Sequence, residues 1–292
     1  MEKILVLGGT GNIGFPLITE LAKSDNVTII AGVHQPTTEA AKFQDFKNVT
    51  VSKFDFLDAG TFAGVLAGVD RVFFVRPPQL AKPKVDMFPF LDQVKASQVK
   101  HIVFVSLIGV EKNPMTPHHK IEQQILKLGI PHTFIRPSFF MQNLNTTHLV
   151  DIRDHHTLFV PAGHSKTSFI DTRDIGAVAA KCLLSTEYIN TELEITGEKA
   201  LTYTEIAGIM SKILGTAIDY SQPSLLRFRK TMLKRGLKKE YVNVMVMLYL
   251  ITQLGNANKT TTTLEQVLGR PATSFEQYVT DYKAVFTGQT RI

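Results

Sequence analysis

The chain has 292 residues, of which 44% are hydrophobic and 20% charged, enough apolar material for one large core or two modest ones, and this excludes a disordered chain. Its single cysteine, Cys182, excludes an internal disulfide and fits a reducing, cytoplasmic compartment. The formal charge of +6 and pI near 9.2 leave an acidic partner open, so the distribution of that charge matters more than its sum.

The apolar start "ILVL" is far too short for the core of a signal peptide. "KILVLGG" is a run of β-formers that ends at glycine, and "FPLITELAKS" follows with helical spacing through Leu17 and Leu21. "NVTIIAGV" is a second strand, "TTEAAKFQDF" a helix and "NVTVSKFDF" a third strand. "DRVFFVRPP", "HIVFVSLIGV" and "PHTFIRPSFF" are the fourth, fifth and sixth, each after a segment able to form a helix, and "ELEITG" adds a late strand. Strands alternating with helices predict an α/β fold, a Rossmann-like doubly wound parallel sheet covered on both faces.

From about residue 198 the pattern turns helical, "TYTEIAGIMSKILG" being the clearest segment. We therefore expect a nucleotide-binding domain over 1–197 and a smaller, mainly helical subdomain over 198–292. The basic stretch 227–239, "RFRKTMLKRGLKK", carries Arg227, Arg229, Lys230, Lys234, Arg235, Lys238 and Lys239. Phe228, Met232 and Leu233 give it an apolar side, so a solvated helix face is expected, ahead of phosphate or nucleic-acid contact. The longest apolar run, "YVNVMVMLYLITQL", is about two-thirds of a bilayer span and is expected to be a buried helix, with no membrane partner.

The first strand runs into Gly8, Gly11 and Gly14 at steps of three, and Gly9, Gly11 and Gly14 also satisfy G-x-G-x-x-G. At a strand-to-helix turn such glycines let the backbone approach a pyrophosphate, which the helix N-terminus then holds through its free N–H groups. A tight turn with no ligand is the alternative. The choice between dinucleotides falls to the end of the second strand, where an acid holds a ribose 2′-hydroxyl and a cation holds a 2′-phosphate. No acid stands between Asp25, before the strand, and Glu39, well into the next segment; His34 occupies the strand end, with Thr37, Thr38 and Lys42 behind it. NADP(H) is thereby favoured over NAD(H).

"GGTGNIG", "SLIGV", "HHKIEQQILKLGIPHTFIRPSFFMQN" at 118–143 and "TSFIDTRDIGAVAA" at 167–180 together resemble the NmrA-like branch of the atypical short-chain dehydrogenases. That branch includes NAD(P)H:quinone oxidoreductases, azo- and triphenylmethane-dye reductases, and redox-sensing regulators that bind the nucleotide without turnover. The resemblance implies that Gly8, Thr10, Gly11, Asn12, Ile13 and Gly14 wrap the pyrophosphate and that His34 faces the adenosine ribose. Asp55 and Phe56 match the pair flanking the adenine, with core packing the alternative for Phe56. Val75, Arg76 and Pro77 would pass beside the nicotinamide ribose, unless Arg76 is a surface charge. Phe139, Phe140 and Asn143 match the segment lining the nicotinamide and substrate pocket, to which 140–168 contributes; the two phenylalanines could equally be core.

Typical short-chain dehydrogenases protonate substrate through a Tyr-x-x-x-Lys pair, and none of the seven tyrosines here has lysine four residues on. Alcohol–ketone interconversion is disfavoured, whereas hydride transfer to a quinone-like aromatic acceptor is not, because the cofactor carries that chemistry. His118 is the remaining acid candidate, four residues before Glu122 in a His-x-x-x-Glu arrangement that a helix would place on one face; a helix start after Pro117, with Glu122 structural, is the alternative. His119, His155 and His156 lack a third ligand at metal spacing, so no metal is expected. Two functions fit: a reductase, favoured by the pocket segment with His118, and a nucleotide-sensing regulator of a protein partner, favoured by the missing pair. A homodimer stays open.

Overall fold

The structure, a computed structural model, describes residues 1–289. In chain order it runs β1 (Glu2–Leu7), α1 (Gly14–Leu21), β2 (Val27–Val33), α2 (Pro36–Glu39), β3 (Val49–Lys53), α3 (Phe62–Leu66), β4 (Arg71–Val75), α4 (Pro83–Asp86), α5 (Phe88–Ala96), β5 (His101–Val105), α6 (Pro117–Lys127) and β6 (His132–Pro137). The chain continues through β7 (Phe139–Phe140), α7 (Leu149–His155), β8 (Thr157–Leu158) and β9 (Thr167–Ile170), then α8 (Thr172–Leu184) and β10 (Thr191–Ile195). The remainder holds β11 (Ala200–Leu201), α9 (Tyr203–Leu214), β12 (Asp219–Tyr220), α10 (Leu225–Lys234), α11 (Lys239–Gln253), α12 (Thr263–Leu268), α13 (Phe275–Asp281) and α14 (Lys283–Phe286).

Two compact units result, one of Met1–Pro137 with Thr172–Ile195, the other of Ser138–Asp171 with Thr196–Ile292. The expected single boundary at 197/198 gives way to an interleaved one. Residues 138–171 join the second unit because β7 and β9 pair with each other, β9 pairs with β11, and β8 pairs with β12.

The first unit carries the sheet expected from the sequence, seven strands in the order β10-β6-β5-β4-β1-β2-β3, every pair parallel. Its middle strands are centred on apolar runs, ILVL in β1, VFFV in β4 and IVFV in β5, because helices cover both faces. Leu5, Leu7, Val72, Phe74, Ile102, Phe104 and Phe134 belong to one cluster with residues of α3, α5 and α6. α1 and α8 pack together and α8 lies against β4, β5 and β6. Strand order reverses at β1, between β4 and β2, so the carboxyl ends of β1 and β4 border the crevice where ligands bind in such sheets.

In the second unit the core gathers residues of α7, α9, α10, α11 and α13 around Phe169, Phe228, Tyr249 and Tyr278. α9 starts on a capping box, Thr202 and Glu205 bonding each other's backbone, and stops at Gly215. Tyr249 and Tyr278 bring hydroxyls into this core, and each finds a partner, Nε2 of His148 at 2.7 Å and Oδ1 of Asn145 at 2.9 Å. The basic stretch takes the solvated-face form. Phe228 and Met232 are buried, Arg235 makes a bidentate pair with Asp151 at 2.6 and 2.7 Å, and Arg229 donates to Asn243. Among the described residues no helix is long and apolar enough to cross a membrane, and no group of three or more His, Cys, Asp and Glu is placed to hold a metal.

Candidate functional site: the nucleotide turn and the Arg76–His118 pair

The turn after β1 is built so that side chains stay out of it. Gly8 sits at φ +67°, the left-handed region that favours glycine, and a Cβ on Gly14 would lie 2.2 Å from the Gly8 carbonyl oxygen. Gly11 N–H donates to that same oxygen at 2.9 Å, which closes the turn. Ile13, the residue capping α1, offers no side-chain acceptor, and the N–H groups of Asn12, Ile13 and Gly14 meet no acceptor among the described residues. Unpaired backbone donors at the start of an eight-residue helix, beside the sheet's reversal point, fit a dinucleotide pyrophosphate.

At the end of β2 the structure assembles groups that the sequence did not connect. His34 and Asp55 approach, Nδ1 to Oδ2 at 3.8 Å, with His34 largely exposed. The Thr10 hydroxyl, from the glycine turn, donates to Glu39 Oε1 at 2.6 Å, and the Gln35 N–H donates to Glu39 Oε2 at 2.8 Å. Burial opposes ionisation of Glu39, but the Thr10 and Gln35 bonds and the charges of Lys42 and His34 outweigh it and hold the carboxyl below its usual range. Phe56 is buried, with its ring edge-on to Phe54 at 4.7 Å and to Phe90 at 5.6 Å, beside Asp55 just past the end of the third strand.

Arg76 and His118, singled out for separate reasons, meet. Arg76 Nε–H donates to His118 Nε2 at 3.4 Å, and Arg76 Nη1 donates to the carbonyls of Pro77, Pro78 and Leu80. Arg76 is thus no free surface charge; burial draws its pKa down to about 10. His118 lies in the first turn of α6, which Thr116 caps, with its ring stacked on Phe104 at 6.1 Å. Burial first, then the Arg76 charge, lowers its pKa to about 3, so the imidazole is neutral near pH 7. Because Nε2 accepts from Arg76, the proton sits on Nδ1.

His118 and Glu122 share α6 but take different partners. Glu122 is buried and held bidentately by Arg136 of β6, at 2.7 and 3.1 Å, because a buried carboxylate needs a cation more than it needs a neutral ring. Ser106, directly after β5, is buried with its hydroxyl unpartnered; "SLIGV" carried this residue within the resemblance without a role. In the second unit Phe139 and Phe140 are half-buried in β7, paired in register with Phe169 and Ile170, and Phe139 packs on that unit's core. Asn143 is exposed in the turn that follows.

The NmrA-like family model matches residues 1–284. The chain is 31% identical to the prestalk A differentiation protein A of Dictyostelium discoideum, over 94% of this chain and 90% of that one. It is also 31% identical to the NAD(P)H azoreductase of Xenophilus azovorans, over 97% of this chain and 99% of the relative. An NADPH-dependent quinone oxidoreductase from Escherichia coli, solved with NADPH, superimposes with a TM-score of 0.84 at 22% identity, covering 95% of this chain and 99% of that one.

Proposed function

The chain belongs to the NmrA-like family, and on that premise we propose that it is an NAD(P)H-dependent oxidoreductase handing hydride to a quinone-like or other aromatic small molecule. One observation carries the proposal: a glycine turn with free backbone donors at the reversal point of the sheet, and at the adjoining strand end a neutral imidazole locked by an arginine. When bound, the reduced nicotinamide supplies the hydride. Gly8, Gly11 and the N–H groups of Asn12, Ile13 and Gly14 hold the pyrophosphate. Asp55 faces the adenosine, and Val75 and Pro77 flank the nicotinamide ribose. Arg76 fixes the loop from Pro77 to Leu80 and the tautomer of His118, whose Nδ1–H donates to an acceptor oxygen as negative charge grows there. Phe139, Phe140 and Asn143 are proposed acceptor contacts on the strength of the family resemblance. NADPH is the favoured reductant, since His34 rather than an acid follows the end of β2 at Val33.

Acceptor-dependent oxidation of NADPH and NADH across several quinones and an azo dye tests this reading. Turnover faster with acceptor than without supports it; a nucleotide that binds and is never oxidised favours the regulator. Within it, His118→Asn should lower kcat by about 10²-fold or less, the contribution of one positioned donor that water partly replaces. With the ring neutral above about pH 3, the kcat profile of wild type should show no His118-dependent limb near pH 6.5, the ordinary histidine range. A limb at that pH that disappears in His118→Asn would contradict the neutral-donor role.

A further inference from the structure

We propose that Glu39 sets how strongly the protein discriminates between the two nicotinamide dinucleotides, its carboxylate opposing a 2′-phosphate at the adenosine ribose and accepting from a 2′-hydroxyl. The inference rests on the nucleotide-binding reading above and goes beyond it. In this fold the adenosine ribose lies against the carboxyl end of the second strand, which here ends at Val33 and is followed by His34 and Gln35. Glu39 stands outside the strand, at the last position of the four-residue α2, so it does not occupy the place where an acid is ordinarily sought. The short helix nevertheless folds it back onto that place. Its two oxygens take the Thr10 hydroxyl and the Gln35 N–H, one from the glycine turn and one from the strand end.

Those two groups are donors that a phosphate at this position would need. In the free chain both are already committed to an internal carboxylate, which is kept ionised by the same bonds. A dianionic phosphate would have to displace it or sit beside it, like charge against like charge. A hydroxyl has the opposite requirement, because it brings a proton and finds an acceptor ready. The cations nearby do not reverse this balance. Lys42 acts on Glu39, and the His34 ring lies 3.8 Å from Asp55, so the positive charge available to a phosphate is shared with carboxylates. Glu39 therefore counteracts the preference for NADPH that His34 and Lys42 create, and keeps NADH a competent ligand.

The experiment is a direct binding titration of NADPH and of NADH on wild type, Glu39→Gln and Glu39→Ala, with thermal unfolding to show that each variant is folded. Glu39→Gln keeps an acceptor for Thr10 and removes the charge. The ratio of NADH to NADPH dissociation constants should rise by about tenfold in Glu39→Gln, chiefly through tighter NADPH, and in the same direction in Glu39→Ala. If both nucleotides bind all three proteins and the ratio stays within about twofold, the role given to Glu39 is wrong and the nucleotide site stands. If neither nucleotide binds wild type, the nucleotide-binding reading itself fails and takes this inference with it.

Discussion

Gly11→Val should leave the protein folded and raise its dissociation constant for NADPH by at least about 100-fold, a loss of about 2.8 kcal/mol at roughly 1.4 kcal/mol per decade. Gly11 is exposed in the turn, its φ is not in the left-handed region, and a Cβ there meets only the Gly8 carbonyl oxygen, at 3.1 Å. The free chain can absorb that contact with a small shift. A bound pyrophosphate cannot, because the branched side chain would project from the turn into the place it takes. Gly14 offers the contrast, since a Cβ 2.2 Å from backbone forces the turn itself to move, so Gly14→Ala should lower both affinity and thermal stability. Undiminished NADPH affinity in a folded Gly11→Val protein would place the pyrophosphate elsewhere.

Phe90→Ala should destabilise the first unit by about 3–5 kcal/mol, the cost of truncating a fully buried aromatic ring. Phe90 has no exposed surface and lies within 5.1 Å of Phe54, 5.4 Å of Phe62, 5.6 Å of Phe56 and 6.2 Å of Phe74, ring centre to ring centre. Three of these contacts are edge-on, so the alanine loses ring geometry as well as buried area. Denaturant unfolding compares the two proteins. A loss below about 1 kcal/mol would mean that the site collapses around the truncation, contrary to the close packing of its neighbours.

Much of the first unit was legible because its strands are buried on both faces and so appear as unbroken apolar runs. "VFFV" and "IVFV" admit few other readings when glycine and helical segments separate them. The second unit hid its outline for the converse reason: β7, β8, β11 and β12, which help draw 138–171 out of the first unit, have two residues each, too few to show any period. The site divided in the same way. The glycine turn is local, and its spacing announces it. The Thr10–Glu39 bond spans 29 residues, Arg76–His118 spans 42 and Arg136–Glu122 spans 14, and no periodicity links such partners. Glu122 was instead matched to His118 by helical spacing, a rule that establishes a shared face and not a bond. Glu39 left a faint signal, an acid four residues after Gln35 in a segment able to form a helix, which places its carboxylate within reach of the Gln35 N–H.

A single-turnover experiment shows whether this chain passes hydride from a bound nicotinamide to an aromatic acceptor. Protein in excess over NADPH is mixed rapidly with a quinone, and the reduced nicotinamide absorbance is followed beside the appearance of reduced acceptor. The absorbance should fall in one phase whose rate increases with acceptor, with one equivalent of acceptor reduced for each nucleotide oxidised. Bound NADPH that persists at every acceptor concentration, across quinones and an azo dye, would contradict it and make the chain a nucleotide sensor.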